Sequence, residues 1–258
     1  MSRTILAAYV QHPVSLDIAT NEAVLKRLID RCPDNSLVVT PEGAISGYAP
    51  QSDFLARIDH AALDGAIERL HAHAAKRGQL LLLGACVRRD GLWRNATFVC
   101  EPNGARGEYW KVNLAHLERR DFTPGDALPI WDVSLGGVAF KLAVQMCREI
   151  RHPEQWRHLA ANGAEVFGFL NNAIGDARVA PVWRSHLISR AAETQRFIVG
   201  ANAAASEQNC PSILIAPDGA VLHETMSPGE TFAIAELDLT KVSTWVLDQS
   251  RRDLNFDF

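Results

Sequence analysis

The sequence predicts an α/β protein built as a four-layer α-β-β-α sandwich of two mixed sheets. Three observations carry this reading. Short apolar runs alternate with amphipathic stretches along the whole chain. The order strand, helix, strand, helix, strand, hairpin occurs twice. No linker or low-complexity segment separates the two passes, so residues 1–258 read as one domain. Strands that are apolar on both faces need cover on both, which places helices outside each sheet and the second sheet inside.

In the first pass, Thr4–Val10 reads as a strand and Asp17–Arg31 as a helix with Val24, Leu25, Leu28 and Ile29 on one side. Ser36–Thr40 is a buried strand stopped by Pro41. Ala62–Arg77 has Ile67, Leu70 and Ala74 at helical spacing, with Gly78 to close it. Gln79–Cys86 is a second buried strand, and Val87–Arg89 and Leu92–Cys100 flank the hairpin dipeptide Asp90-Gly91.

The second pass repeats the pattern. Phe140–Cys147 is a strand, and Pro153–Asn162 a helix with Pro at its first turn and Gly163 at its end. Ala164–Leu170 is a strand, Pro181–Gln195 a helix and Phe197–Ala203 a strand. Ser212–Ala216 and Ala220–Glu224 form a hairpin around Asp218-Gly219. Between the passes, Gly104–Trp131 has little helical period and several Gly and Pro, apart from a short strand Gly107–Lys111. Long connections of this kind tend to carry function.

Composition narrows the functional classes. The chain has 26 Lys+Arg against 30 Asp+Glu, a net charge of −4, with 47% hydrophobic and 22% charged residues. That is an ordinary globular balance, without the concentrated basic face a nucleic-acid binder uses against phosphates. Five widely spaced cysteines (Cys32, Cys86, Cys100, Cys147, Cys210) with no CxxC pair fit a reducing compartment rather than a disulfide framework. The apolar stretch Ile5–Val10 is too short for a signal peptide, and no uncharged run reaches the ~18 residues of a membrane helix. The expectation is a soluble, cytoplasmic protein, in which the sequon Asn95-Ala96-Thr97 is a coincidence.

Three residues suggest chemistry. Cys147 ends a strand and precedes the charged turn Arg148-Glu149-Ile150-Arg151. Strand ends feed clefts in α/β folds, and cations nearby lower a thiol's pKa, although a free cysteine is more often a small buried hydrophobe. Glu42 follows the strand Ser36–Thr40 at what reads as the equivalent point of the first pass, where burial raises a carboxyl toward general-base duty; a turn carboxylate is the plainer alternative. Lys111 ends its short strand and faces the long loop, in a residue type that is usually a solvated surface charge.

Taken together, Pro41-Glu42, then Tyr109-Trp110-Lys111 with Leu114, Glu118 and Phe122-Thr123-Pro124-Gly125, then Cys147-Arg148-Glu149-Ile150-Arg151-His152-Pro153-Glu154 resemble the nitrilase (carbon–nitrogen hydrolase) superfamily. Trp93-Arg94-Asn95, Gly107, Gly163-Ala164, Arg190-Ala191-Ala192-Glu193, Asn202, Ser212, Pro217-Gly219 and Arg251-Arg252-Asp253-Leu254 extend the resemblance over nearly the whole chain, in order. It implies the same sandwich, a Glu–Lys–Cys triad of Glu42, Lys111 and Cys147, and Glu118 as a second acid. Three departures stand out. Thr194 replaces the Asn that many relatives have after the helix Glu. Leu170-Asn171-Asn172 replaces a Pro-containing segment. Arg148-Glu149 stands where nitrilases commonly carry Trp-Glu, which favours amides over nitriles.

Amide hydrolysis needs a nucleophile, a base and positive charge at the developing oxyanion. Cys147 supplies the first and Glu42 the second. Lys111, as an electrostatic rather than nucleophilic group, and the backbone N–H of Arg148 supply the third; Asn172 is assigned to the substrate side. No cofactor is implied. His71 and His73 fall on different helix faces, and His116, His152 and His158 lack a metal-ligand spacing, so neither zinc nor a Cys–His dyad is favoured. Gly43 and Gly47 begin no phosphate-binding loop. The expected activity is a thiol amidohydrolase on a small carboxamide or carbamoyl (ureido) compound. The alternatives are a nitrilase with the same triad and a non-catalytic binding or assembly module that keeps the fold. A homodimer or higher homo-oligomer is expected, with Trp156 and Trp183 as exposed interface anchors. Loops Gly43–Phe54 and Asn171–Ala180 shape the pocket.

Overall fold

The first pass of the chain lays down β1 (Thr4–Gln11), α1 (Ile18–Arg31), β2 (Ser36–Val39), α2 (His60–Lys76), β3 (Leu80–Arg89), β4 (Leu92–Cys100) and β5 (Arg106–Trp110) in the computed structural model, which describes residues 3–49 and 52–250. The second continues with β6 (Ile130–Leu135), β7 (Val138–Met146), α3 (Pro153–Ala161), β8 (Val166–Asn171), α4 (Ala180–Thr194), β9 (Phe197–Asn202), β10 (Ser212–Ile215), β11 (Val221–Thr225) and β12 (Thr231–Asp238). The motif Arg251-Arg252-Asp253-Leu254 lies outside the described residues.

The strands form two six-stranded sheets, ordered β12-β1-β2-β3-β4-β5 and β11-β10-β9-β8-β7-β6. Each has a parallel core, β1-β2-β3 and β7-β8-β9, flanked by antiparallel strands. Side-chain alternation builds the layers. Ala7 and Tyr9, Leu80 and Leu82, and Val166 and Leu170 point into the core between the sheets. Their neighbours Ala8 and Val10, and Leu81 and Leu83, meet α1 and α2 through Leu25, Leu28, Ile67 and Leu70. Phe167 and Phe169 meet α3 and α4 through Trp156, Leu159 and Leu187. The four-layer α-β-β-α sandwich is the one expected. Among the described residues no helix is long and apolar enough to cross a membrane.

Several expectations are corrected. The segments read as Gln79–Cys86 and Val87–Arg89 are one strand, β3. Its Asp90-Gly91 turn into β4 has both central residues at positive φ (52° and 80°), the backbone a two-residue hairpin requires. Lys111 lies just past β5 rather than in it. Strands β6 and β12 went unread, because each is an edge strand whose partner, not its own pattern, makes it extended: β12 runs antiparallel to β1, more than 200 residues earlier. Trp156 and Trp183 are buried inside this chain (0% and 7% exposed), under the second sheet, and do not project as interface anchors.

The sheet order also changes which positions correspond. Counting outward through the parallel cores, β2 matches β8 and β1 matches β7. Glu42 therefore corresponds to the Asn171-Asn172 pair, and Cys147 corresponds to His12, so Glu42 and Cys147 are not equivalent points of the two halves. His12 is fully buried, with Nε2 3.3 Å from the Ala44 carbonyl oxygen, and burial lowers its pKa to about 4. The unfolded chain binds that proton near pH 6.5 and the folded chain only near 4, so folding stability falls as pH drops through this window. Urea unfolding of the wild type should lose up to about 3 kcal/mol more across it than His12→Gln does. Identical pH slopes would show that the buried ring sets no such dependence.

Candidate active site

The carboxyl ends of the parallel strands open on one side of the sandwich, where chain turns at β2, β7 and β8 deliver the polar residues. Glu42 follows Thr40-Pro41 and is fully buried. Thr40 N–H donates to the Leu82 carbonyl (3.0 Å) and Ile45 N–H to the Gly84 carbonyl (3.1 Å), which fastens the turn to β3. Gly84 is needed there, because a Cβ would run into the backbone of Pro41, Glu42 and Gly43. Gly84→Ala should cost about 1–3 kcal/mol of stability and lower kcat/KM at least about tenfold by displacing Glu42. Full activity in that variant would break the link between this contact and the site.

Glu42 also reaches across to the second sheet. Its N–H donates to the Asn171 carbonyl (3.2 Å), the Asn172 N–H donates to Glu42 Oε2 (3.1 Å), and Asn172 Nδ2 donates to the Glu42 carbonyl (3.2 Å). The structure thus ties Asn172 to Glu42, as a clamp on its backbone and carboxylate, through the Asn172 N–H and one of the two donors of its amide nitrogen.

Lys111 is buried, held through backbone pairing to Asn95 and Gly125 (2.9 Å each). Its Nζ donates to Glu42 Oε1 at 2.7 Å and to Glu118 Oε1 at 3.0 Å. Asn95 Nδ2 donates to the same two oxygens at 2.7 Å each. Glu118 further accepts from the Tyr48 hydroxyl (2.8 Å) and from the Ala115 N–H (2.5 Å). Burial works to lower the Lys111 pKa, but Glu42, Cys147 and Glu118 outweigh it and hold the ammonium well above its ordinary range. The two acids part company. Burial raises the Glu42 carboxyl despite Lys111. Burial would raise Glu118 too, but the charge and hydrogen bond of Lys111, with Ala115 and Tyr48, hold it below the ordinary range.

Cys147 begins a short 3-10 turn, Cys147–Arg151, at φ +41°, a left-handed backbone that costs a non-glycine residue on the order of 1–3 kcal/mol. Glu149 holds this corner together. Its carboxylate accepts from the Met146 N–H (2.7 Å), the Val112 N–H (2.8 Å), the Asn113 N–H (3.1 Å) and the Tyr109 hydroxyl (2.6 Å), joining the residue before Cys147 to those after Lys111. The expected lowered thiol pKa is overturned. Burial, and then the Glu42 charge, push the Cys147 thiol well above its ordinary value, and Lys111 only partly offsets them. The resting group is an SH beside a carboxylate.

Glu42, Lys111, Glu118 and Cys147 are thus brought together, with Arg148 on the wall of an adjoining cavity of about 210 Å³. Among the described residues no three His, Cys, Asp or Glu side chains are grouped as metal ligands. The sequence reading missed Asn95, Tyr48 and Glu149 as members of the site. Asn95 carried a signal, as part of the Trp93-Arg94-Asn95 motif. Tyr48 carried none.

The fold has close relatives in shape. A variant of the Nesterenkonia AN1 amidase from the nitrilase superfamily superposes with a TM-score of 0.80 over 98% of this chain and 95% of its own, at 24% identity. In sequence, an (R)-stereoselective amidase of a Pseudomonas species is 29% identical over 86% of this chain and 78% of its own length. A nitrilase of Pyrococcus abyssi is 26% identical over 90% and 89%. The nitrilase-superfamily sandwich is therefore the class of fold. The carbon-nitrogen hydrolase family profile matches residues 6–246, and the chain belongs to that family of C–N hydrolases.

Proposed function

We propose that the chain is a thiol amidase that cleaves a small carboxamide or carbamoyl compound through an acyl-thioester on Cys147. The observation that carries this is the buried Lys111 ammonium 2.7 Å from Glu42, beside a neutral thiol on a left-handed strand end. Glu42, raised by burial, accepts the thiol proton as sulfur attacks the carbonyl carbon. Lys111 Nζ and the backbone N–H of Arg148 face the developing oxyanion, as preorganised donors need to. The proton on Glu42 passes to the departing nitrogen, which leaves as ammonia or amine. Water then gives a proton to Glu42 and its oxygen to the thioester, and Glu42 returns the proton to the thiolate. Glu118 and Asn95 hold Lys111 and Glu42 in line, and the departure from the nitrilase Trp-Glu pair at Arg148-Glu149 supports amides over nitriles.

A panel of aliphatic amides, ureido acids and nitriles, read by ammonia release and acid product, tests the proposal. Amides should give carboxylic acid and ammonia in equal amounts, ureido acids should give amine, carbon dioxide and ammonia in equal amounts, and acid quench with a slow substrate should leave the acyl or carbamoyl group on the Cys147 peptide. Nitriles consumed while amides and ureido acids stay untouched, or label on the Lys111 peptide, would overturn it.

A further inference from the structure

The cavity beside the buried acids is small and mixed in character. At about 210 Å³ it holds roughly seven waters at ~30 Å³ each, room for a chain of only a few atoms. Ala49, Leu117 and Phe122 give it apolar walls, and Glu118 and Tyr48 close one side. Both Glu118 oxygens are already engaged, Oε1 by Tyr48, Asn95 and Lys111, and Oε2 by the Ala115 N–H and Lys111 (2.9 Å).

Arg148 lies on the same wall, one residue past Cys147. Its guanidinium has no hydrogen bond or ion pair to any described residue. Arg151 lies over the Trp183 ring (5.8 Å), Arg190 donates to the Ile150 carbonyl (3.1 and 3.0 Å), and Arg94 stacks on Trp110 (4.4 Å). Arg119 and Arg120, beside Glu118, are also unpaired among the described residues, but they are exposed and do not line the cavity, whereas Arg148 is half-buried on its wall. A planar cation with its donors unspent, on the wall of a small mixed cavity and one residue past Cys147, matches a carboxylate on a short aliphatic chain.

The geometry points to Arg148 as the specificity residue for an anionic substrate: an amide or ureido compound bearing a carboxylate a few atoms from the scissile C–N bond. This rests on the amidase reading, and it narrows the substrate class. Arg148 contributes through its side chain here, separately from its backbone N–H. The shared chemistry is the carboxylate; dicarboxylic acid monoamides and ureido acids are its two sources.

The test compares length-matched substrates. Wild-type kcat/KM should be about 10–100-fold higher for glutaramate than for valeramide, mainly through KM, the range a charge-assisted contact supplies. Arg148→Gln should bring that ratio close to one, and Arg148→Glu should turn the preference toward 5-aminovaleramide. A parallel arm with 3-ureidopropionate against propylurea distinguishes the two sources. A wild-type ratio near one in both arms, or a ratio unchanged in Arg148→Gln, overturns the inference. Calorimetry separates this from failure of the amidase reading itself. Glutaramate should bind Cys147→Ala at least about tenfold tighter than valeramide, and lose that margin in Cys147→Ala/Arg148→Gln, whether or not any amide turns over. Equal binding to Cys147→Ala within both pairs, glutaramate with valeramide and 3-ureidopropionate with propylurea, overturns the inference even if amides are hydrolysed.

Discussion

Replacing Cys147 with alanine should abolish turnover, lowering kcat by about 10⁴-fold or more, while the unfolding midpoint stays within about 4 °C of wild type. The loss is large because the one other thiol near these acids, Cys86, is fully buried inside β3 opposite Asn95 and does not stand at a strand end. Cys86 and Cys210 are buried, with pKa values pushed above the ordinary thiol value, and neither ends a parallel strand. The fold survives because alanine keeps the same Cβ at φ +41° and the corner is held by Glu149, whose four hydrogen bonds do not involve the sulfur. Steady-state ammonia release and circular dichroism read the two halves of this result. Substantial residual hydrolysis would remove Cys147 as the nucleophile.

Lys111→Met should be damaging twice over. The oxyanion donor is lost, which costs 10²–10³-fold or more in kcat by comparison with other such donors. In addition Glu42 and Glu118, both within 2.7 Å of Asn95 Nδ2, face each other in a buried site with no cation between them. Removing one partner from a buried charge array costs about 3–5 kcal/mol, so thermal unfolding should fall well below wild type. Lys111→Met/Glu118→Gln should regain much of that stability and none of the activity, which separates the electrostatic cost from the catalytic one. Lys111→Arg should recover little, since a planar fork does not fit the space of a compact ammonium between two carboxylates. A stable Lys111→Met with wild-type turnover would refute the role given to this residue.

Much of this was legible in the chain, for a physical reason that differs from residue to residue. Helices α1 and α2 announce themselves because their buried faces, Leu25 with Leu28 and Ile29, and Ile67 with Leu70 and Ala74, recur at 3.6-residue spacing within one element. The parallel strands announce themselves because burial on both faces leaves unbroken apolar runs such as Leu80–Leu83. Glu42, Lys111, Glu118 and Cys147 are found because ordered motifs surround them. Their meeting is another matter: Lys111 and Glu42 are 69 residues apart, and only sheet order brings their atoms to 2.7 Å.

The sequence by itself determined the two-fold strand–helix pattern, hence the layers, and the kinds of group available for chemistry, because periodicity and residue type are local properties. Tertiary structure decided what depends on partners remote in the chain. It made Thr231–Asp238 a strand by pairing it with β1, and it took Trp156 and Trp183 out of the surface by laying α3 and α4 on the second sheet. It turned Asn95 from an apparent sequon into a donor bridging two acids. It also kept the Cys147 thiol protonated: a run of nearby arginines in sequence suggests a lowered pKa, but a side chain's charge state follows from burial and from the groups that surround it in space.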